Sequence, residues 1–545
     1  MSPHGAVRDV RPFGDGALVA EVASAADAHG LAGTVSDAGW HGVEDVVVGY
    51  RSVTVVTDPA AVDIAAMGDE LARIPAATPD RGARRRFEIP VAFDGPDLDD
   101  VTAVTGMSRD DVVEQLLDTD LEVAFVGFLP GFAYLEGLPR ALAAVPRRAT
   151  PRSAVAAGSV GIGGGFAGIY PQASPGGWQV LGRTGFELFD PGTPPFAVLR
   201  PGDGIRFREA RDPGVVMPRA RAPLRSVATR TVVVEAPGLL SLVQDLGRLG
   251  VARLGVPRAG AADPFALRAA NRLVGNEDGA AALEVTALGP RLRFGHAAHV
   301  AVVGRAEVHI DGLPVEVDTV VPVSPGQEVS VGRTLDGLRC YLAVSGGFDV
   351  TPLFGSRSSD VLTGLGPGAL RPGDVLGLGP PGRPRGQVVR PRPGRAPHLL
   401  RVVPGPDALG PDAFGPGTSD HLVDRLADRT WEVAPSSDRM GVRLVGDLPL
   451  DTPAPGIASR GMVTGAVQVP PDGRPVALLC DHATVGGYPV VATVVRADLG
   501  VLGQCRPGDA VRFEPVDRAE ADRARAAAER SLDAAVTGWF PLRCD

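Results

Sequence analysis

The sequence predicts an α+β protein built mainly of short strands, with a small α/β unit at the N-terminus and β-rich modules in tandem behind it. Three observations carry this. The 545 residues exceed what one hydrophobic core usually serves, so several domains are expected. The 71 Gly and 51 Pro beside only 5% aromatic residues call for many turns between short strands. Two glycine-dense segments, 156–184 and 460–489, are each followed by nearly the same phrase, RPGDGIRF at 200–207 and RPGDAVRF at 506–513. Backbone so rich in Gly is costly to order, which makes it poor filler inside packed strands.

In chain order, residues 1–87 alternate strand-like runs, ALVAEV and VVVGYRSVTVVT, with amphipathic helical patterns at 25–39 and 60–74. The first β-rich module, 88–208, is entered through the strand RFEIPVAFD. It carries a helix at 108–117, with Ser108 and Asp111 as its capping box, before short β segments resume. Residues 209–230, rich in Arg, Pro and Ala without periodicity, suit a linker. In 231–379, TVVVEAP opens a new unit. There Asp263-Pro264 before FALRAANRLVG reads as a helix with an Asp cap, Pro in its first turn and Gly275 at its end. A third RPGD phrase stands at 371–374. Residues 380–398 form a second linker, 399–516 the last β-rich module, and 517–545 a tail with a helix. A Pro-Gly-Asp turn feeding a strand is common, so the phrase alone is weak evidence that modules are related. Its place after a Gly-Gly and Tyr-Pro cluster in two of them strengthens the case.

Composition excludes several functions. A net charge of −10 without a basic stripe argues against nucleic acid as a partner. All 54 basic residues are arginine. Without lysine there is no Walker A loop, no Schiff base and no attachment point for biotin, so anions fall to Arg and backbone N–H groups. The four cysteines, Cys340, Cys480, Cys505 and Cys544, are widely spaced and fit free thiols, and the nine His show no metal-ligand spacing. The N-terminus has no apolar signal core and no apolar run approaches 18 residues, so no membrane association and a cytoplasmic protein are expected.

GFLPGFAYLEGLP from Gly127, TPRSAVAAGSVGIGGG and GIYPQASPGGWQVLGRT resemble the B component of 5-oxoprolinase, the allophanate hydrolase subunit 1 or Kip-type family. APGLLSLVQDLGRLG from Ala236, LGVPRAGAADPFALRAANRLVGN, LEVTALGPRLRF, GSRSSD, SSDRMGVRL and GAVQVPPDGRPVALLCDHATVGGYP resemble its C component, or allophanate hydrolase subunit 2. The resemblance implies a fused B–C pair with a cyclophilin-like β-barrel in each part. It implies a component that opens 5-oxoproline to glutamate with ATP, Mg²⁺ and the separate 5-oxoprolinase A component, through a phosphorylated intermediate. Carboxyl transfer to urea with a biotin carrier on another chain is the runner-up, and inhibition of a sensor kinase a third reading. Homo-oligomerisation is compatible with all three. The family often carries His-Thr or His-Ser where Leu116-Leu117 lie, and Gln-Thr where Phe166-Ala167 lie, so any role of that histidine is vacant or moved.

Activating a ring amide through phosphate requires cations around phosphate oxygens and carboxylates for Mg²⁺. Arg439, beside Asp438, and Arg443 are candidate clamps because a guanidinium binds oxyanions bidentately. The rival reading pairs Arg439 with Asp438 or Asp447. Asp245 and Arg248 in VQDLGR, with Asp263 and Glu284, are further candidates, although Asp263 also serves as the helix cap. Asn271 either caps the helix end or meets ligand. Asp481, Thr484 and Tyr488 sit beside Gly486 and Gly487, where missing side chains admit a ligand or merely a tight turn, and Gln468 lies upstream. In the first module Ser159, Tyr170, Ser174, Gly176, Gly177 and Trp178 form a candidate wall with Arg152 and Arg183 as anion contacts. Trp178 competes as a core residue. No G-x-S-x-G elbow or Cys/His pair stands out, so the chain alone is not expected to complete the ring opening.

Overall fold

The structure is a computed structural model that describes all residues except 1–6, 76–83, 149, 218–223, 225–227, 389–397, 409–421, 448, 451–455 and 540–545. Alternating apolar residues give the N-terminal unit a four-stranded antiparallel sheet, in the order Asp9–Pro12, Ala17–Glu21, Ser52–Thr57, Val43–Val48. The run VVVGYRSVTVVT, read above as one strand, is therefore a hairpin that turns at Gly49, whose N–H bonds the Ser52 carbonyl at 2.8 Å. Helices Ala25–Ala38 and Ile64–Arg73, capped by Ser24 and Asp63, bury Leu31, Val35, Met67 and Leu71 in one core with Val47, Val53 and Val55.

The first module is a seven-stranded sheet in the order Gln179–Arg183, Ser159–Gly163, Phe166–Ile169, Ala133–Glu136, Leu121–Val126, Gly204–Glu209, Arg86–Val91. A bridge between Ala92 and Arg183 joins its two edges. The helix Arg109–Asp118 begins at the capping box: Ser108 Oγ accepts from Asp111 N–H at 3.2 Å while the Asp111 carboxylate accepts from Ser108 N–H at 3.0 Å. A further helix, Leu98–Thr105, precedes it.

Residues 231–378 form a ten-stranded sheet dominated by the long antiparallel pair Ala298–Ile310 and Glu328–Val344. Helix Pro264–Leu273 packs on it through Leu267, Ala270 and Leu273, with Asp263 accepting from Ala266 N–H at 3.0 Å. The last module is a closed barrel in the order His398–Pro404, Val490–Val494, Ala466–Gln468, Val476–Leu478, Gly441–Val445, Thr430–Val433, Ala510–Pro515.

Numbered along the chain, the strands of the two modules run in the same order around their sheets. In each, the first strand lies parallel to the last, Arg86–Val91 on Gly204–Glu209 and His398–Pro404 on Ala510–Pro515. The repeated phrase is the same turn each time. The Asp carboxylate accepts the Arg backbone N–H at 2.8 Å in Arg200/Asp203 and 2.7 Å in Arg506/Asp509, and Gly202 and Gly508 take φ of 88° and 87°. Pro and a left-handed Gly at the turn centre specify this geometry. The third copy, Arg371/Asp374, repeats it at 2.7 Å within the ten-stranded sheet, so the turn recurs outside the two related modules as well.

The tail helix Arg518–Ala535 docks back on the helix Pro264–Leu273 through Arg268–Glu529 at 2.7 Å and Arg272–Asp533 at 2.8 Å. Strand Val536–Trp539 pairs with Arg385–Val388, so the stretch read as a second linker contributes a strand of its own. Among the described residues no helix is long and apolar enough to cross a membrane. Cys340, Cys480 and Cys505 are buried and form no disulfide among the described residues, and Cys544 lies outside them.

Candidate functional site

The segment from Cys480 to Tyr488, DHATVGGY with its preceding Cys, runs through the junction of all these units. Its Val485–Gly486 pairs with Arg460–Gly461, Val485 enters the N-terminal core, and Thr484 Oγ1 accepts from the Phe128 N–H at 3.0 Å. On one side of it lies a cavity of about 580 Å³. The N-terminal unit lends this cavity Asp15, Glu44 and Asp45, the second half lends Arg258, Thr464, His482, Thr493 and Arg496, and the tail helix lends Glu529.

Glu44 is the electrostatic hub of the wall, bound by Arg258 at 2.8 Å and Arg496 at 3.0 Å. Burial opposes its ionisation, yet the two guanidinium charges outweigh burial and hold it below the usual carboxylate range. The Arg496 backbone N–H also donates to Asp15 at 2.9 Å. Asp45 accepts only backbone N–H groups, from Gly250 at 3.1 Å and Ala252 at 3.2 Å, and burial pushes it up to about 6.

His482 is the group suited to proton transfer. Its Nδ1 is 2.8 Å from the Ala483 carbonyl, which can only accept, so Nδ1 carries the proton and Nε2 is left as an acceptor. Burial lowers its pKa, which keeps the ring neutral near pH 7. Neighbouring Cys480 is no nucleophile, because burial pushes its thiol far up.

Behind this cavity several sequence-predicted residues do come together, in a dry ionic cluster. Arg439 binds Asp481 through Nε and Nη2, both at 2.9 Å, and donates also to Glu284, to the Gly260 carbonyl at 2.6 Å and to Cys480 Sγ at 3.0 Å. All three guanidinium nitrogens are engaged, and Arg439, Asp481 and Glu284 are almost wholly buried. Burial works against the arginine's charge, but Asp481 and Glu284 outweigh it. Glu284 further accepts from Tyr341 Oη at 2.7 Å and Ala262 N–H at 2.9 Å. The expected clamp has no free face for phosphate, and its partners are neither Asp438 nor Asp447. Asp438 is an exposed turn residue that accepts from Met440 N–H at 2.8 Å, and Arg443 is exposed on its strand.

Other candidates are placed as follows. Asp245 anchors the GSRSSD loop, accepting from Ser356 Oγ at 2.6 Å and Arg357 N–H at 2.6 Å. Arg248 is sealed under that loop, donating to the Ser358 carbonyl, while its Nε and Nη1 have no partner among the described residues. Asp263 is the helix cap and also accepts from Gln504 Nε2 at 2.8 Å. Asn271 bonds the Ala280 carbonyl at 2.7 Å, a structural role. Gln468 Nε2 contacts Met462 Sδ at 3.0 Å in the space Gly486 leaves, and Tyr488 is half-buried.

In the first module, Arg152 is held by Asp97 at 2.7 Å and Arg183 by Asp94 at 3.0 Å, so both expected anion contacts are ion-paired. Tyr170 and Trp178 are buried in an aromatic cluster with Phe132, Tyr134 and Phe166, beside Gly176 and Gly177. Ser159 and Ser174 are buried, and Ser174 Oγ has no partner among the described residues. Leu116 sits in the barrel core and Phe166 packs edge-on against Tyr50, so both departures from the family pattern are packing positions here. Among the described residues no group of three or more His, Cys, Asp or Glu could hold a metal ion. Sequence reasoning missed His482, Glu44, Arg258 and Arg496. The Asp-His pair in DHATVGGYP was the one available signal.

Residues 8–199 match the carboxyltransferase domain, subdomain C and D, and residues 254–515 match the carboxyltransferase domain, subdomain A and B. The second half is 34% identical over 305 residues to the C component of 5-oxoprolinase from Escherichia coli, covering 54% of this chain and 94% of that protein. The first is 52% identical over 126 residues to the B component of 5-oxoprolinase from Escherichia coli O157:H7, covering 23% of this chain and 57% of that protein. The crystal structure of TTHA0988 superposes with a TM-score of 0.80 at 34% identity, covering 93% of this chain and 100% of that one. The chain belongs to the family of carboxyltransferase-domain proteins that contains the B and C components of 5-oxoprolinase, with both parts in one polypeptide.

Proposed function

We propose, from that membership, that the chain is the joined B–C component of an ATP-dependent 5-oxoprolinase that opens 5-oxo-L-proline to L-glutamate together with a separate A component. The observation that supports it best is the cavity whose walls come from both halves, in a chain whose first half matches the B component and whose second half matches the C component. A lactam is a poor electrophile until its oxygen is made a leaving group. His482, neutral and among the residues lining the cavity, is suited through Nε2 to take the lactam N–H proton, which shifts negative charge onto the lactam oxygen. That oxygen attacks the terminal phosphorus of ATP, the bond to the bridging oxygen breaks and ADP leaves; with the A component, water then adds to the activated carbon, phosphate departs, and the ring C–N bond breaks as nitrogen takes up protons. Glu44 pairs with both Arg258 and Arg496, so one carboxylate faces two guanidinium charges and this wall offers the amide a base beside a triad of net positive charge; no residue here is assigned to ATP or Mg²⁺.

The test mixes the chain with the A component, ATP, Mg²⁺ and 5-oxoproline, then measures glutamate and phosphate. Both products are expected, in equal amounts, only when the chain and the A component are present together. The carboxyltransferase description of both matched regions favours a second reading, carboxyl transfer to a urea-type amide. An inactive mixture, with carboxylated urea formed from a carboxybiotin carrier instead, would establish that reading and refute the first.

A further inference from the structure

The arginines packed at the junction of the halves mostly hold carboxylates already. Arg439 is taken by Asp481, Arg258 and Arg496 by Glu44, and Arg460 by Asp407 at 2.8 Å. Arg147 is different. It is half-buried, yet among the described residues its guanidinium makes no hydrogen bond and no ion pair.

Its position joins the two glycine-dense segments that the sequence left unexplained. The stem runs past Gly163, where an added Cβ would lie 3.2 Å from Arg147 Cγ and from the Trp178 ring. Nε passes over Gly164, 3.2 Å from a Cβ there. Nη1 reaches the other half, where a Cβ on Gly487 would stand 3.2 Å from Nη1, 3.2 Å from the Ile457 carbonyl oxygen and 3.5 Å from Ser459 Oγ. Ser459 is buried and hydrogen-bonded to the Tyr134 hydroxyl. Burial dominates the ionisation of Tyr134 and Tyr170, and the Arg147 charge partly offsets it at both, so the phenols feel the cation. A half-buried cation without a counter-charge is costly to keep, which favours an anionic ligand on the part of the guanidinium that solvent still reaches.

We propose that Arg147 is an oxyanion subsite for a small-molecule ligand at the junction of both halves: one carboxylate or phosphate binds its guanidinium where it borders Gly487 and the Ser459 hydroxyl. A carboxylate would come from a cyclic amide acid and a phosphate from a nucleotide. The choice of 5-oxoproline as one probe rests on the function proposed above; the phosphate probe does not.

The experiment is calorimetric titration of the full chain with 5-oxoproline, with 2-pyrrolidinone, which is the same lactam without the carboxylate, and with inorganic phosphate. Arg147→Met is expected to weaken one of the two anions at least tenfold and to leave 2-pyrrolidinone unchanged, and Arg147→Lys to restore part of the loss. A loss confined to 5-oxoproline assigns the carboxylate, and a loss confined to phosphate assigns the nucleotide. Gly487→Ala, whose methyl would press on Nη1 from 3.2 Å while keeping the charge, should weaken the same anion and serves if Arg147→Met does not fold. The subsite is overturned if the wild-type chain binds neither anion, or if folded variants bind both as tightly as wild type. Phosphate binding through Arg147 in a chain inactive with the A component would keep the subsite and remove the oxoprolinase reading. Full turnover by a variant with unaltered anion binding would do the reverse.

Discussion

Replacing Arg439 by methionine keeps much of the side-chain volume and removes the charge between Glu284 and Asp481, both wholly buried. What is left behind sets the magnitude. Arg339, 3.3 Å from Glu284, and the Val361 N–H, 3.0 Å from Asp481, stay in place but cannot compensate two dry carboxylates. Breaking a buried pair by removing one partner costs about 3–5 kcal/mol. That is a large share of a total stability of about 5–15 kcal/mol. Arg439→Lys keeps the charge, but one ammonium cannot span Asp481, Glu284 and the Gly260 carbonyl, so it is expected to lose at least one charge-assisted hydrogen bond, about 1.5–3 kcal/mol. The assay is urea unfolding followed by tryptophan fluorescence, for which Trp431, buried in the core of the same barrel, is a built-in reporter. Both midpoints should fall, methionine further than lysine. Variants as stable as wild type but inactive with the A component would show that Arg439 meets ligand and is not a structural ion pair.

Asp360 is pushed by burial, with Asp481 adding to it, up to about 7 from an ordinary 3.8, so the folded chain holds a proton there that the unfolded chain has lost. Its contribution to stability should decline as pH rises from about 4 to about 7 and then level off, whereas Asp360→Asn, permanently neutral, should lack that decline; parallel unfolding midpoints for the two proteins from pH 5 to pH 8 would exclude it. His482→Asn should lower kcat with the A component by about 10²–10⁴-fold, the usual worth of a positioned base. Because burial holds the histidine below its ordinary 6.5, wild-type turnover should stay level down through that pH and fall only on its acid side, a limb the variant lacks. Turnover within twofold of wild type would remove His482 from the chemistry.

What was legible in the sequence was local. The Ser108 capping box, the Asp263 cap and the RPGD turns depend on residues within four positions of one another, and each took the geometry its residues dictate. Helix Leu98–Thr105 was not legible, because LDDVTAVT is short and rich in β-branched residues that favour strands. The site was harder for the same reason. Nothing beside Arg439 tells that Glu284, 155 positions away, will neutralise it, and so a buried ion pair read as a free clamp. His482 was passed over because a histidine was sought in metal-ligand spacing, whereas its fitness as a base comes from one carbonyl contact and from burial. Arg147 carries no local mark at all; only the fold shows that two distant glycine segments flank it and that no partner among the described residues reaches it.

Joining both parts in one chain raises the question of whether the linker or the surfaces hold them together. Three apolar clusters mix residues from both halves: Val485 and Ala252 sit in the N-terminal core, Met462 and Val463 pack on Phe13 and Val19, and Val256 and Leu365 pack on Phe189. Backbone bonds cross as well, from Tyr50 N–H to the Ser459 carbonyl at 2.8 Å and from Gly131 N–H to the Leu254 carbonyl at 2.9 Å. Surfaces that share cores in this way resemble obligate interfaces, which stay associated without a tether. Cleavage at a protease site inserted within 218–223 should therefore leave the halves co-eluting in gel filtration at about 1 μM, with turnover in the presence of the A component retained. Since the cavity takes Glu44 from one half and Arg258, His482 and Arg496 from the other, separation should abolish that turnover. Halves that part on cleavage while either alone still works with the A component would mean that the chemistry does not lie at their junction.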